Sequence, residues 1–187
     1  MIRLALTIFL LVLAPLAMGA LANRPDRCTL TAPNKNADKA IEQFGFLIGD
    51  FAISVHAWTD GQWSPPRPTG ARWNGWYGLD GQVVYDEWFD PHLNNAGINV
   101  RHFDTEANHW KMMWISTADK RVQDMRAEMR NGKLTMWQVH PDRQGWKAEF
   151  IVKAKDRWER VSYVQDDQGN WQNEYRLVAT RVTCGSQ

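Results

Sequence analysis

Turn signals recur along this chain roughly once every dozen residues, and that cadence leaves room for little except short strands joined by hairpins. Asp60-Gly61, Asp80-Gly81, Asn94-Asn95, Thr105 to Asn108, Ala118-Asp119, Asn131-Gly132, Asp142 to Gly145, Lys155-Asp156 and Asp167 to Gly169 all carry residues that turn a backbone. Between them lie alternating stretches rich in Trp, Val, Met and Tyr, with no crossover helix and no internal linker. Residues Asn36 to Phe44 read as the only helix. Asn36 can cap it, Ala37, Ala40, Ile41 and Phe44 fall at helical spacing, and Gly45 can end it. About ten short antiparallel strands in succession are best accommodated as a closed up-and-down barrel, because closure removes unpaired edges. The expected fold is therefore all-β, an antiparallel barrel of about ten strands with a short N-terminal helix plugging one end.

The hairpins also predict registers, since paired residues in a symmetric hairpin point to the same face. A loop centred on Leu93-Asn94 pairs Asp86 with Arg101 and Trp88 with Asn99. The Asp80-Gly81 turn pairs Trp73 with Trp88 and Gly75 with Asp86. The next loop pairs Arg101 with Met112 and Phe103 with Trp110. Carried around the sheet, this places Trp73, Trp88, Asn99, Trp114, Gln123, His140, Trp146, Val164 and Trp171 in one inward row. A second row holds Asp86, Arg101, Met112, Met125, Gln138, Ala148, Ser162 and Asn173. A third holds Phe103, Trp110, Met136, Phe150, Arg160 and Tyr175. The longer connections fall at the tryptophan end, which reads as an open mouth, and the helix enters at the other end.

Residues 1–22 stand apart from the fold. Arg3 is followed by the apolar run Leu4 to Leu13, and Ala20-Leu21-Ala22 is a small-x-small cleavage site. This is the pattern of a secretory signal peptide, and residues 23–187 then form a single barrel domain. The implied location is periplasmic or secreted. In an oxidising compartment the chain's 2 cysteines, Cys28 and Cys184, are expected to form one disulfide bond. With 22 Lys and Arg against 21 Asp and Glu, bulk charge gives no reason to expect a nucleic-acid partner or, after signal cleavage, a membrane one.

Several segments resemble a known family. Phe46-Leu47-Ile48-Gly49-Asp50-Phe51 looks like the opening of calycin-type barrels, with Phe51 in place of the usual tryptophan. Leu79 to Trp88, Arg101-His102-Phe103-Asp104 with Trp110 and Trp114, and Trp158 with Asp167 to Trp171 together resemble the bacterial domain-of-unknown-function family 1579. The resemblance covers Phe44 to about Arg181 and implies a lipocalin-like barrel, with no assigned reaction. The family's recurring Asp, Trp and Arg positions map to Asp86, Trp88, Arg101, Trp110 and Trp114. Haem-binding relatives of this barrel shape use a histidine near the C-terminus, and no histidine follows His140.

The chemistry is carried by tryptophan, of which there are 11. Large aromatic surfaces with one N–H each suit flat or apolar ligands, and equally suit core packing. The ligand-binding candidates are Trp73, Asp86, Trp88, Arg101, Trp114, Gln138, His140, Trp146 and Trp171. Asp86 and Arg101 read either as a buried pair fixing register or as an anchor for an anionic ligand group. Arg160 beside Tyr175 is a second candidate anchor. The histidines have no metal-ligand spacing, and no nucleophile elbow, phosphate loop or dinucleotide fingerprint is present, so no metal or cofactor is expected. Three readings follow. One is a barrel binding a small apolar or aromatic molecule, with or without an anionic group. Another is an isomerase- or lyase-type enzyme using Asp86 or His140 in the same cavity. The third is a module whose mouth loops contact a protein or glycan.

Overall fold

The computed structural model describes residues 27–118 and 120–183. The segment read as a signal peptide lies outside the described residues, and so does Cys184, one end of the expected bridge.

Eleven strands follow one another: β1 (Gly49–Thr59), β2 (Gln62–Trp63), β3 (Arg67–Gly78), β4 (Val83–Asp90), β5 (Asn95–Asp104), β6 (His109–Ser116), β7 (Val122–Arg130), β8 (Lys133–His140), β9 (Trp146–Ala154), β10 (Arg157–Gln165) and β11 (Trp171–Arg181). Ten of them pair antiparallel in chain order, and β11 returns to β1 from Phe51↔Arg181 to Ala57↔Tyr175, closing the barrel. The extra strand, β2, folds back on the end of β1 through the Asp60-Gly61 turn, where Trp58 meets Trp63 edge-on with ring centroids 4.8 Å apart. The ladder between β8 and β9 is the shortest in the barrel wall, running only from Leu134↔Phe150 to Met136↔Ala148.

One helix is present among the described residues. It is a 3-10 helix over Lys39–Leu47, not the Asn36–Phe44 helix expected from the sequence. The start moves because the Asn34 side chain accepts from the Asn36 backbone N–H at 2.8 Å and Ala37 N–H bonds to the Asn34 carbonyl, so Asn34 to Ala37 make a turn. Asp38 then caps the helix by accepting from Ala40 N–H at 2.8 Å. Gly45 does not end it, and the helix runs on to Leu47. Its apolar residues Ile41, Phe44 and Leu47 are buried. Phe44 packs edge-on against Trp110 at 4.8 Å and Phe150 at 5.7 Å, which carries the helix into the barrel end. Gly75 makes the approach possible, because the Leu47 carbonyl occupies the place a Cβ at that position would take. Tyr77 is buried beside this junction, and burial, with the Glu42 carboxylate adding, pushes its phenol pKa up to about 12.

Most expected registers are observed: Trp73↔Trp88, Gly75↔Asp86, Arg101↔Met112, Phe103↔Trp110, Trp114↔Gln123, Ala148↔Ser162 and Trp146↔Val164. Three hairpins are shifted by two residues, which preserves the face; between β10 and β11 the shift holds in the half away from the mouth, where Arg160 pairs with Leu177 in place of Tyr175. Arg101 pairs with Val84 and Asp86 with Asn99, because Asp90 ends β4 and its carboxylate caps the His92 and Leu93 amides in the loop. Across β8 and β9, Met136 pairs with Ala148 in place of Phe150.

Two bulges have larger effects, since one extra residue reverses every side chain beyond it. Asp124 pairs with His140 and Met125 with Gln138, leaving Val139 extra on β8. Ser162 pairs with Tyr175 and Tyr163 with Asn173, leaving Glu174 extra on β11. Both bulges lie at the mouth.

Candidate functional site

The barrel encloses a cavity of about 730 Å³, open at the mouth. That volume lies within the range of small-molecule pockets. Trp73 from β3, Trp88 from β4, Trp114 from β6 and Trp146 from β9 line it, together with Asn99, Gln123 and Gln138. Trp73 and Trp88 meet edge-on at 6.0 Å. Trp73 also packs edge-on against the fully buried Trp158 at 5.3 Å, so this part of the lining rests on a packed core. Trp146 is fixed twice. Its indole N–H donates to Glu174 at 3.0 Å, and Arg143, itself paired with Glu174 at 2.8 Å, lies over its ring at 5.2 Å. The bulge at Glu174 sits where its carboxylate meets both groups.

Of the nine ligand-binding candidates read from the sequence, Trp73, Trp88, Trp114, Gln138 and Trp146 are therefore brought together on the cavity wall. Asp86 and Arg101 lie beneath it, fully buried and in direct contact as an ion pair. They meet diagonally, where the sequence reading expected a direct cross-strand pair. Asn99, opposite Asp86, donates to its Oδ1 at 2.9 Å, and the Arg101 guanidinium lies over the Phe44 ring at 4.8 Å. Burial pushes the Arg101 pKa well down, the nearby Arg160 charge pushes the same way, and contact with Asp86 opposes both. This pair is a buried support under the cavity floor and not part of its lining.

The two remaining candidates require correction. His140 was expected inside beside Trp146. The Val139 bulge turns it to the outer face opposite Asp124, where it is exposed. Trp171 was expected to complete a cluster of five tryptophans. The Glu174 bulge turns it outward opposite Gln165, 41% exposed, with the Lys147 ammonium 4.9 Å from its ring. The cavity cluster is four tryptophans. Neither Asp86 nor His140, the residues considered for proton transfer, lines the cavity.

The sequence reading did not anticipate the contribution of β1 and its flanks, since the inward rows began at β3. Val55, His56, Ala57 and Arg67 all reach the lining. The alternation of buried Phe51, Ile53 and Val55 on β1 was the available signal. Among the described residues, no group of three or more His, Cys, Asp or Glu is placed to hold a metal ion. No protein-family model matches the chain, and no curated protein matches it.

Proposed function

We propose that this chain is an exported small-molecule-binding barrel, periplasmic or secreted after cleavage of residues 1–22. Its ligand would be an apolar or aromatic molecule held among Trp73, Trp88, Trp114 and Trp146. The observation that carries this reading is the cavity itself. A wall of four indoles, broken by the amides of Asn99, Gln123 and Gln138, surrounds about 730 Å³ of space that the chain's own side chains do not fill. A barrel whose tryptophans served only to pack would close over such a volume, because unfilled apolar space forfeits dispersion contacts. The likeness of Leu79 to Trp88 and of Asp167 to Trp171 to the bacterial family named above belongs to the same proposal. It leads us to expect the cavity, and not a conserved reaction, to be the shared feature.

The test is native mass spectrometry of the protein purified from its own compartment, followed by tryptophan quenching with whatever co-purifies. Trp88→Ala and Trp114→Ala should weaken binding by about 1 kcal/mol or more each beyond any loss of apolar area. Trp171→Ala, on the outer face, should leave affinity unchanged. If a ligand binds and all three variants bind it equally, the site is elsewhere. Conversion of the co-purified molecule on incubation would favour an enzyme in the same cavity. Retention of partner proteins with no small molecule would favour an interaction module.

A further inference from the structure

The floor of the cavity has hydrogen-bond donors with nothing to receive them. Arg160 points inward from β10, opposite Phe150 and Leu177, and lines the cavity together with Tyr175. One terminal nitrogen of its guanidinium donates to the Tyr175 hydroxyl, and the guanidinium carbon lies 5.2 Å from the Tyr175 ring and 6.0 Å from the Trp73 ring. Its Nε–H is buried without an acceptor, and so is the indole N–H of Trp73, a residue only 2% exposed. Among the described residues, no carboxylate forms an ion pair with Arg160. The buried carboxylate beneath the cavity, Asp86, is already in contact with Arg101 and with the Asn99 amide.

Arg160 as a whole is half-buried, but buried donors such as its Nε–H and the Trp73 indole N–H are normally satisfied. The wider lining has the same imbalance. It carries four arginines, Arg67, Arg121, Arg143 and Arg160, against two carboxylates, Asp90 and Asp142; Arg143 is already paired with Glu174, which leaves three against two. Asp90 ends β4 at the mouth, where its Oδ1 caps backbone amides of the following loop.

We propose that Arg160, with the Trp73 indole N–H and the Tyr175 hydroxyl beside it, is the anchor for the carboxylate of a monoanionic ligand. The apolar or aromatic body of that ligand lies up the cavity among the tryptophans. The inference rests on the binding-barrel reading above and names its ligand class. A carboxylate offers two acceptor oxygens to donors that lack one, and a guanidinium matches that group in shape as well as in charge. It also supplies a negative charge beside two neighbouring guanidiniums of which only Arg101 is paired with an aspartate. Arg101 cannot take this role, because its charge is already matched by Asp86 beneath the floor.

The test uses two matched pairs of probes on the mature protein, read by tryptophan quenching and calorimetry. One pair is 2-naphthoate and 2-naphthylmethanol, and the other is laurate and lauryl alcohol. The wild type should prefer each bound carboxylate to its alcohol by about tenfold or more, the scale of a charge-assisted hydrogen bond. Which pair binds more tightly tells an aromatic body from an alkyl one. In Arg160→Met the carboxylate-to-alcohol ratio should collapse towards one, and in Arg160→Lys much of it should remain. A ratio near one in the wild type, or an unchanged ratio in Arg160→Met, overturns the anchor while alcohol binding leaves the cavity reading standing. If none of the four probes binds, both readings fall together. Should Arg160→Met not fold, carboxyl-13C naphthoate bound to the wild type decides the matter. The bound group should stay ionised well below the pH at which the free acid titrates, and titration at the free value overturns the proposal.

Discussion

The indole of Trp114 lies across Gly97, its six-membered ring filling the space that a side chain on Gly97 would need. Gly97 sits on β5 opposite Ser116, and its φ is not in the left-handed region, so the need for glycine comes from this close approach alone. Trp114 is thereby laid against the wall and leaves the cavity open. Gly97→Ala should displace the ring and cost roughly 1–3 kcal/mol through overpacking. Denaturant unfolding and the tryptophan emission maximum both check this. A variant of unchanged stability and unchanged emission would mean that the ring does not rest there.

The ion pair beneath the cavity makes a sharper prediction. Asp86 and Arg101 are 0% and 1% exposed, so removing either partner leaves a buried charge alone. Arg101→Met should cost about 3–5 kcal/mol. Asp86→Asn added to Arg101→Met should recover much of that loss, because an asparagine carbonyl can still accept from Asn99. Unfolding free energies of the single and double variants give the coupling. Additive effects of a few tenths of a kcal/mol would show that the two residues do not share an enclosed site.

Tyr77 governs the alkaline limit. Its folded-state pKa is about 12, above the ordinary value of 10.0. Between those values the unfolded chain releases the phenolic proton and the folded one retains it, so the unfolded state binds fewer protons and stability falls as pH rises. The contribution is complete below pH 10.0 and is lost as pH climbs to about 12. Ultraviolet titration should find the Tyr77 phenol titrating late, with Tyr163, which burial also raises, above its ordinary value as well. Tyr77→Phe should flatten the loss of stability in that window, and an equally steep decline in the variant would assign it to other groups.

The bridge between Cys28 and Cys184 remains a prediction. Cys28 lines a hollow at the helix end of the barrel together with Val182 and Thr183, the residues leading to Cys184. Closing so long a loop is worth roughly 4–5 kcal/mol in the chain-entropy account. Thiol labelling of the denatured, unreduced protein should find no free thiol, and two labelled cysteines would exclude the bridge.

Much of the barrel is legible in the sequence because turn chemistry and side-chain alternation are local. The row through Trp73, Trp88, Trp114 and Trp146 needs only the face of each strand. The two-residue slip between β4 and β5 does not disturb it, since a slip of two keeps every side chain on its face. Asp86 and Arg101 still meet despite that slip because an arginine side chain spans the diagonal between adjacent strands. His140 and Trp171 are misplaced for one shared reason. Val139 and Glu174 are bulge residues, and neither carries a glycine or other local mark of an irregular backbone. The helix boundary was also out of reach, because it turns on the Asn34 and Asp38 side chains competing for nearby amides.

The pairing of β1 with β11 has a consequence for how the chain can be cut. Every other ladder in the barrel joins neighbours in the strand order, so the wall is a ring of local hairpins with one distant closure. A ring has no privileged first strand. The stretch at Cys28 and the stretch at Thr183 already border the same hollow. A short linker between them would make that closure local in the chain, and the pairing across any new termini would become the distant one. New termini could then be opened at the exposed Asn131-Gly132 turn, where a side chain on Gly132 would meet nothing. Such a circular permutant should keep the same wall and the same four indoles around the cavity, with β8 as its first strand and β7 as its last.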